Sequence, residues 1–319
     1  LETTRRWRFG VNRWIVLGIV ILMVIGVNLV SPVMPHIQVA PEPLSGTVTL
    51  PVIGPVFLSN TTTTNILVVL VVILLAYLVK RAIERGEMVP SGVIVPGMEM
   101  LVEVLYNMTE TTTGAKWARR IFPWFATLLI YILVANLVRL TPIFETFGLL
   151  HHAEEGGHAV ATVLGLPTVI NQPGEWTVVP FFRGLATDLN FTVALALLSV
   201  IFTQVYGFQA LGGKYLVKFF NFTTFFKKPF FGAIDFAVGL LELISQFALI
   251  LSYSFRLFGN IFAGTVLTAV VVFLVPVFVP SVVMLLEFDI GMIQAFVFGM
   301  LTMVFMSQAV TGHGEEAHA

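Results

Sequence analysis

The chain is 319 residues long, 57% apolar and 11% charged, with a mean hydropathy of +0.93 and a formal net charge of −1. No soluble domain of that length carries this balance, and the basic residues form no pattern suited to a nucleic-acid groove. Cysteine is absent, which excludes disulfides, thiolate chemistry and cysteine-bound metals.

Six apolar stretches have lengths suited to a ~30 Å hydrocarbon core. They fall at 14–30, 65–79, 121–140, 189–209, 233–276 and 281–308. The first follows Arg5, Arg6, Arg8 and Arg13, as either a retained helix or a secretory signal would. The residues before Pro32 lack a small-x-small cleavage site, which favours the retained helix. The second is short, and Thr61 to Thr64 with Asn65 extend it at the interface. Before the third, Met98, Leu101, Val102 and Leu105 recur at helical spacing, predicting an amphipathic helix along the inner interface.

Between the third and fourth stretches lies HHAEEGGH, with His151, His152 and His158. A polar, Gly-containing run of this kind reads as a solvated loop rather than a metal site. The fifth stretch is too long for one upright span. A helix over 233–276 would reach ~66 Å, about twice the hydrocarbon thickness, so it either breaks near Gly259–Asn260 or lies steeply tilted.

Basic residues set the orientation. Fourteen of the seventeen flank the first span, follow the second, precede the third or lie between the fourth and fifth. Loop 31–64 has none and 141–188 has only Arg183. Six crossings with both termini on the cytoplasmic side follow.

Arg256 is the only charged residue between Glu242 and Glu287. A guanidinium stays protonated, and at membrane depth it costs roughly 2.5–3.5 kcal/mol on insertion scales, so an anionic partner is required. Glu242, Ser245, Ser252, Arg256 and Asn260 recur at same-face helical steps. Glu242 and Arg256 would sit within ~40° of each other, ~21 Å apart along the axis. On the sixth stretch Glu287 and Gln294 share a face, and with Asn260 they could form a second polar patch. Two aqueous half-paths separated by a fixed positive charge follow. A guanidinium there blocks through-passage of protons and drives proton release from any carboxylic acid beside it. Alternatively, Arg256 pins two helices by pairing with Glu287 or Glu242.

SYSFRLFGNIFAG followed by IQAFVFGMLTMVFMSQA resembles the signature segments of subunit a of the F-type ATP synthases. ANLVRLTPIF, ATDLNFTVALAL and LLELISQF sit in that family's order, and the resemblance covers about residues 60–310. It implies an all-α polytopic membrane protein of about six transmembrane helices, the last two long and strongly tilted, plus the interfacial helix. It implies that Arg256 is the stator charge facing the carboxylates of a rotor ring. Asp188, Asn190, Asn260, Glu287 and Gln294 would belong to the outer half-channel, and Glu242, Ser245 and Ser252 to the inner one. Some family members carry an acid where Thr265 stands and a His where Glu287 stands, so Glu287 is the candidate inlet acid. The implied partners are the ring of c subunits, the peripheral-stalk b subunits, the lipid bilayer and translocated protons. No catalytic residue, cofactor or metal is expected in the chain, and the expected location is a bacterial plasma membrane. The expected division is an N-terminal basic segment and extra helix over 1–35, the subunit a domain over 36–310 and a polar tail over 311–319.

Two other functional classes fit the residues less well. A secondary transporter would use Arg256 for an anionic substrate, but it predicts internal inverted repeats, and none is visible. A polytopic enzyme would need histidines or carboxylates at ligand spacing on span ends, and the spans have none.

Overall fold

The computed structural model describes residues 9–30, 40–44, 48–50, 54–85, 94–141, 144–145, 147–152, 157–163, 166–213, 215, 219, 229–276 and 278–311. Among them the chain runs through α1 (Phe9–Val30), β1 (Val48–Leu50), β2 (Gly54–Val56), α2 (Asn60–Glu84) and α3 (Ile94–Arg139). Strands β3 (Gly148–His152), β4 (His158–Val163), β5 (Leu166–Pro173) and β6 (Trp176–Pro180) follow. A short 3-10 turn then leads into α4 (Leu189–Leu211), α5 (Pro229–Leu274) and α6 (Val279–Thr311). The last five helices are long and apolar enough to cross a membrane, and the apolar run Arg13–Ile25 lies within α1. The molecule is an integral membrane protein whose spans are all helical, as expected. Arg5, Arg6, Arg8, Lys214, Lys218, Lys227, Lys228 and the tail HGEEAHA lie outside the described residues.

Local chemistry fixes several boundaries. The Ser59 hydroxyl accepts from the Thr62 amide at 3.1 Å and so caps α2, lengthening the short apolar stretch by one threonine-rich turn. In α3, Gly114 adopts φ 74° and ψ 156°, a left-handed break that separates 94–113 from 115–139. The amphipathic helix and the third span are thus distinct. Leu105 is buried, Met98 and Leu101 are half-buried, and Val102 is exposed, so three of the four predicted residues share the packed face. The Ser307 hydroxyl donates to the Thr112 carbonyl at 2.9 Å, tying this segment to the end of α6.

Helix α5 is continuous over its 46 residues, with no break at Gly259–Asn260. At ~1.5 Å per residue it is ~69 Å long, more than twice the hydrocarbon thickness, so it cannot stand upright within it. Helix α6 returns antiparallel against it and also packs on α3 and α4. Small residues allow that close approach. A Cβ at Gly299 would lie 2.9 Å from Leu129 Cβ, and one at Gly291 would lie 3.1 Å from Asn136 Cβ. The Asn136 amide donates to the buried Gly291 carbonyl at 3.0 Å.

One feature departs from the expected solvated loop. Strands β3 to β6 form a four-stranded antiparallel sheet in the order β3-β6-β4-β5, with His151 and His152 in β3 and His158 opening β4. Short Val- and Thr-rich alternations such as HAVATV and WTVVP carry the strand signal, but they are dwarfed by the membrane-length apolar runs around them. Among the described residues, no group of three or more potential metal ligands clusters here or elsewhere.

Candidate functional site

The α5–α6 hairpin has one antiparallel register. The Asn260 amide donates to Gln294 Oε1 at 2.7 Å, and nearer the turn the Thr268 hydroxyl donates to Glu287 Oε1. Asn260, Glu287 and Gln294, three of the five residues expected of an outer path, therefore gather at the turn end of the hairpin. Glu287 is 5% exposed and pairs with Arg139 of α3, Nη2 to Oε2, at 2.8 Å. Arg139 Nη1 also donates to the Thr265 hydroxyl at 3.0 Å. Positions 265 and 287 thus face each other and share one guanidinium. Gly264 makes the space, since a Cβ there would lie 3.2 Å from Glu287 Oε1.

Asp188 lies at the start of α4. Its Oδ1 caps the helix by accepting from the Asn190 amide at 2.9 Å, and its Oδ2 accepts from the Thr61 hydroxyl at 3.0 Å. Asn190 is exposed beside it. Asp188 is not joined by any described hydrogen bond to the Asn260–Gln294 or Glu287 groups, so the expected outer residues form two neighbourhoods rather than one.

Glu242, Ser245 and Ser252 all line a single cavity of about 480 Å³ between α4, α5 and α6, with Thr203, Gln246 and Gln308. A chain of hydrogen bonds enters it. Tyr215 donates to Gln204 at 2.7 Å, Gln204 to Gln246 at 2.9 Å and Gln246 to Glu242 at 3.0 Å. A carboxylate can only accept, so an ionised Glu242 fixes both amide orientations and makes Tyr215 the donor at the far end. Burial pushes the Tyr215 phenol above its usual range, and the Glu242 charge adds to the push.

Between the cavity and the Asn260–Gln294 pair the interior is mainly apolar, with the Ser199 and Thr302 hydroxyls buried 2.8 Å apart and the Tyr253 hydroxyl buried without a partner among the described residues. Tyr253, Leu257, Ile261, Ala295 and Phe298 are buried in one cluster with Ile132, Leu195 and Ala196. This largely apolar cluster stands as a plug between the two polar groups. On the outer surface at that level stands Arg256. It is exposed, with Nη2 3.3 Å from the Ser252 hydroxyl, and Ser245 and Asn260 are exposed on the same helix. Among the described residues no carboxylate reaches ion-pairing distance of Arg256. The static pairing with Glu287 or Glu242 is therefore not formed, and Glu287 is taken by Arg139. The same helix exposes large apolar side chains, Phe247, Leu251 and Phe255 among them.

Sequence reasoning missed Arg139, Thr268, Gln204, Gln246 and Tyr215. Arg139 left one usable signal, because it is one of only three basic residues off the positive side. It also missed Glu145, which follows α3 with a left-handed backbone at φ 61°.

The family model of the ATP synthase A chain matches residues 62–307. An ATP synthase subunit a of Moorella thermoacetica is 28% identical over 216 residues, covering 68% of this chain and 76% of its own. That of Helicobacter acinonychis is 27% identical over 255 residues, or 80% and 92%. That of Helicobacter pylori strain P12 is 28% identical over 237 residues, or 74% and 84%. The chain belongs to the ATP synthase A chain family, subunit a of the F-type ATP synthases.

Proposed function

With that family membership as premise, we propose that the chain is the membrane stator subunit of a rotary ATP synthase. It forms two offset half-channels that pass protons to and from the carboxylates of a rotating ring of c subunits, and Arg256 separates the paths. One observation carries this reading. Arg256 is exposed on α5 beside the buried cluster between the inner cavity and the Asn260–Gln294 pair, without a carboxylate from the described chain. A permanent charge at that depth needs a counter-charge, and one facing outward takes it from another body.

In this mechanism a proton enters past Asp188 and Asn190, then Glu287, Gln294 and Asn260, and neutralises a ring carboxylate. The neutral site can then turn into lipid. After nearly a full revolution it reaches the inner cavity and loses its proton beside Arg256, which favours the carboxylate form. The proton leaves past Ser252, Ser245 and Glu242. Each charge crossing the membrane potential is worth ~2.3 kcal/mol per 100 mV. The chain itself performs no bond-making step; its product is torque on the ring.

The division into 1–35, 36–310 and 311–319 belongs to this reading, with the first helix an addition to the common domain. So do the b subunits of a peripheral stalk, a bacterial plasma membrane and cytoplasmic termini, the last from the one-sided basic residues.

The test is the assembled complex in proteoliposomes, wild type against Arg256→Ala, scored for ATP-driven proton pumping. Loss of pumping with intact assembly supports the reading. Pumping unchanged by the substitution means that the charge only holds helices, and the reading fails.

A further inference from the structure

The hydrogen-bonded chain at the inner cavity draws on three separate parts of the fold. Glu242 and Gln246 stand one turn apart on α5, Gln204 reaches across from α4, and Tyr215 comes from the segment after α4. All of them converge on one carboxylate. Packing of α4 on α5 has its own source in the buried cluster of Leu195, Ala196, Tyr253 and Leu257, so the polar chain is not needed to join the helices.

The far end of the chain is held in place. Tyr215 is 4% exposed, and Gly207 of α4 opens the niche for its ring, since a Cβ there would collide with the ring and lie 2.9 Å from the hydroxyl. The Phe219 ring meets the Tyr215 ring edge-on at 5.7 Å between centroids. The Tyr215 amide donates to the Gly212 carbonyl at 3.0 Å. The phenol is thus fixed in a position that delivers its hydroxyl to Gln204.

The chemistry of the links is reversible. With Glu242 ionised, Tyr215 donates to Gln204, Gln204 to Gln246 and Gln246 to the carboxylate. With Glu242 protonated, its O–H donates to Gln246, and turning both amides and the hydroxyl runs the chain the other way. A primary amide carries a donor and an acceptor, and a phenol serves as either. An ammonium or guanidinium at the far end only donates and would permit one direction alone. Glu242 therefore has a matched partner in both protonation states.

We propose that Gln246, Gln204 and Tyr215 are positioning residues of the inner path, holding the Glu242 carboxyl at the cavity in both its charged and its neutral state. This rests on the stator reading above. On taking an outgoing proton Glu242 forms an O–H bond; on release to cytoplasmic water that bond breaks and the carboxylate returns. The chain reverses and reverts with it, and no proton travels through the amides. Of the groups lining the cavity with Glu242, Thr203 from α4 and Phe305, Gln308 and Ala309 from α6 do not titrate. Tyr215 is the other ionisable group on its wall, and Arg256 is the next charge toward the C-terminal end of α5.

The experiment measures ATP-driven proton pumping by the assembled complex in proteoliposomes as the cytoplasmic-side pH is varied. Each rate is divided by that of wild type at the same pH, so titration of the catalytic head cancels. Gln246→Leu should slow pumping about tenfold and Tyr215→Phe, which keeps the ring, about threefold. Both lie below the ~10²-fold that a ~1 Å misplacement can cost. Both factors should change with pH, and neither substitution should slow a Glu242→Gln complex further, because the positioned carboxyl is gone. A mere strut between helices gives the same factor at every pH and in both backgrounds, and that result overturns the proposal. Wild-type pumping by Gln246→Leu also overturns it. If Gln246→Leu fails to assemble, or Glu242→Gln pumps too slowly for a further loss to be read, Tyr215→Phe decides alone. A ratio to wild type that varies with pH then supports the proposal, and a constant ratio overturns it. Arg256→Ala is run alongside. Pumping unchanged by that substitution brings down the stator reading itself, whereas loss there with wild-type pumping by Gln246→Leu removes only this proposal.

Discussion

Arg139 and Glu287 are 148 residues apart in sequence and 2.8 Å apart in space, and their contact joins α3 to the α5–α6 hairpin. Arg256, the charge most conspicuous in the sequence, is exposed and, among the described residues, bonded to a single hydroxyl. The two arginines should therefore separate in any measurement that distinguishes stability from transport.

Arg256→Ala should leave the unfolding free energy of the detergent-solubilised complex within about 0.5 kcal/mol of wild type, as for other surface substitutions. Arg139→Ala leaves a buried carboxylate uncompensated and should cost about 3–5 kcal/mol. Thermal unfolding of both variants checks the contrast, and equal losses would contradict the placement of either residue.

Gly264→Val should disturb the Glu287 carboxyl, since even a Cβ lies 3.2 Å from its Oε1. Overpacking of this kind costs about 1–3 kcal/mol. Combining it with Glu287→Ala, which vacates the space, should recover part of that loss. A double variant no more stable than the additive sum would count against the contact.

Asp188 has two separable roles, a carboxylate charge and a helix cap. Asp188→Asn retains a capping oxygen and should change stability by only a few tenths of a kcal/mol. Asp188→Ala loses the cap and should cost about 1 kcal/mol. If the Asn variant nevertheless loses proton pumping, the charge at this position serves the outer path.

The inner cavity can be probed without background, because the chain has no cysteine. Ser245→Cys and Ser252→Cys line the cavity and should react with a hydrophilic thiol reagent added on the cytoplasmic side. Leu257→Cys, at a position with 0% exposure inside the plug, should not. Labelling of Leu257→Cys would mean that water crosses the plug.

Glu145 gives a pH dependence with a definite sign. Its folded-state proton affinity is raised, so its contribution to stability is complete below the usual carboxylate range and is lost as pH rises through the raised value. Glu145→Gln removes that loss. Its thermal midpoint should match wild type near pH 4 and exceed it at pH 7, and a lower midpoint at pH 7 would show that the arginines dominate the carboxyl.

How much of this was legible in the sequence depends on the range of the physics involved. Hydropathy over a span and the 3.6-residue period are local properties, so the spans, the break between interfacial helix and third span, and the Glu242–Asn260 stripe could all be read from the residues. So could Arg256, since one guanidinium in a long apolar run needs no partner to be noticed. The strands β3 to β6 were present as short alternations but gave a weaker signal than the helices beside them. Only tertiary structure decided that Glu287 meets Arg139 rather than Arg256, that Gln204 and Gln246 link two helices to Glu242, and that a mainly apolar cluster lies between cavity and Asn260–Gln294 pair. Each depends on which helix faces are brought together, and that is set by close approach at Gly291 and Gly299, whose signal in sequence is only the absence of a side chain.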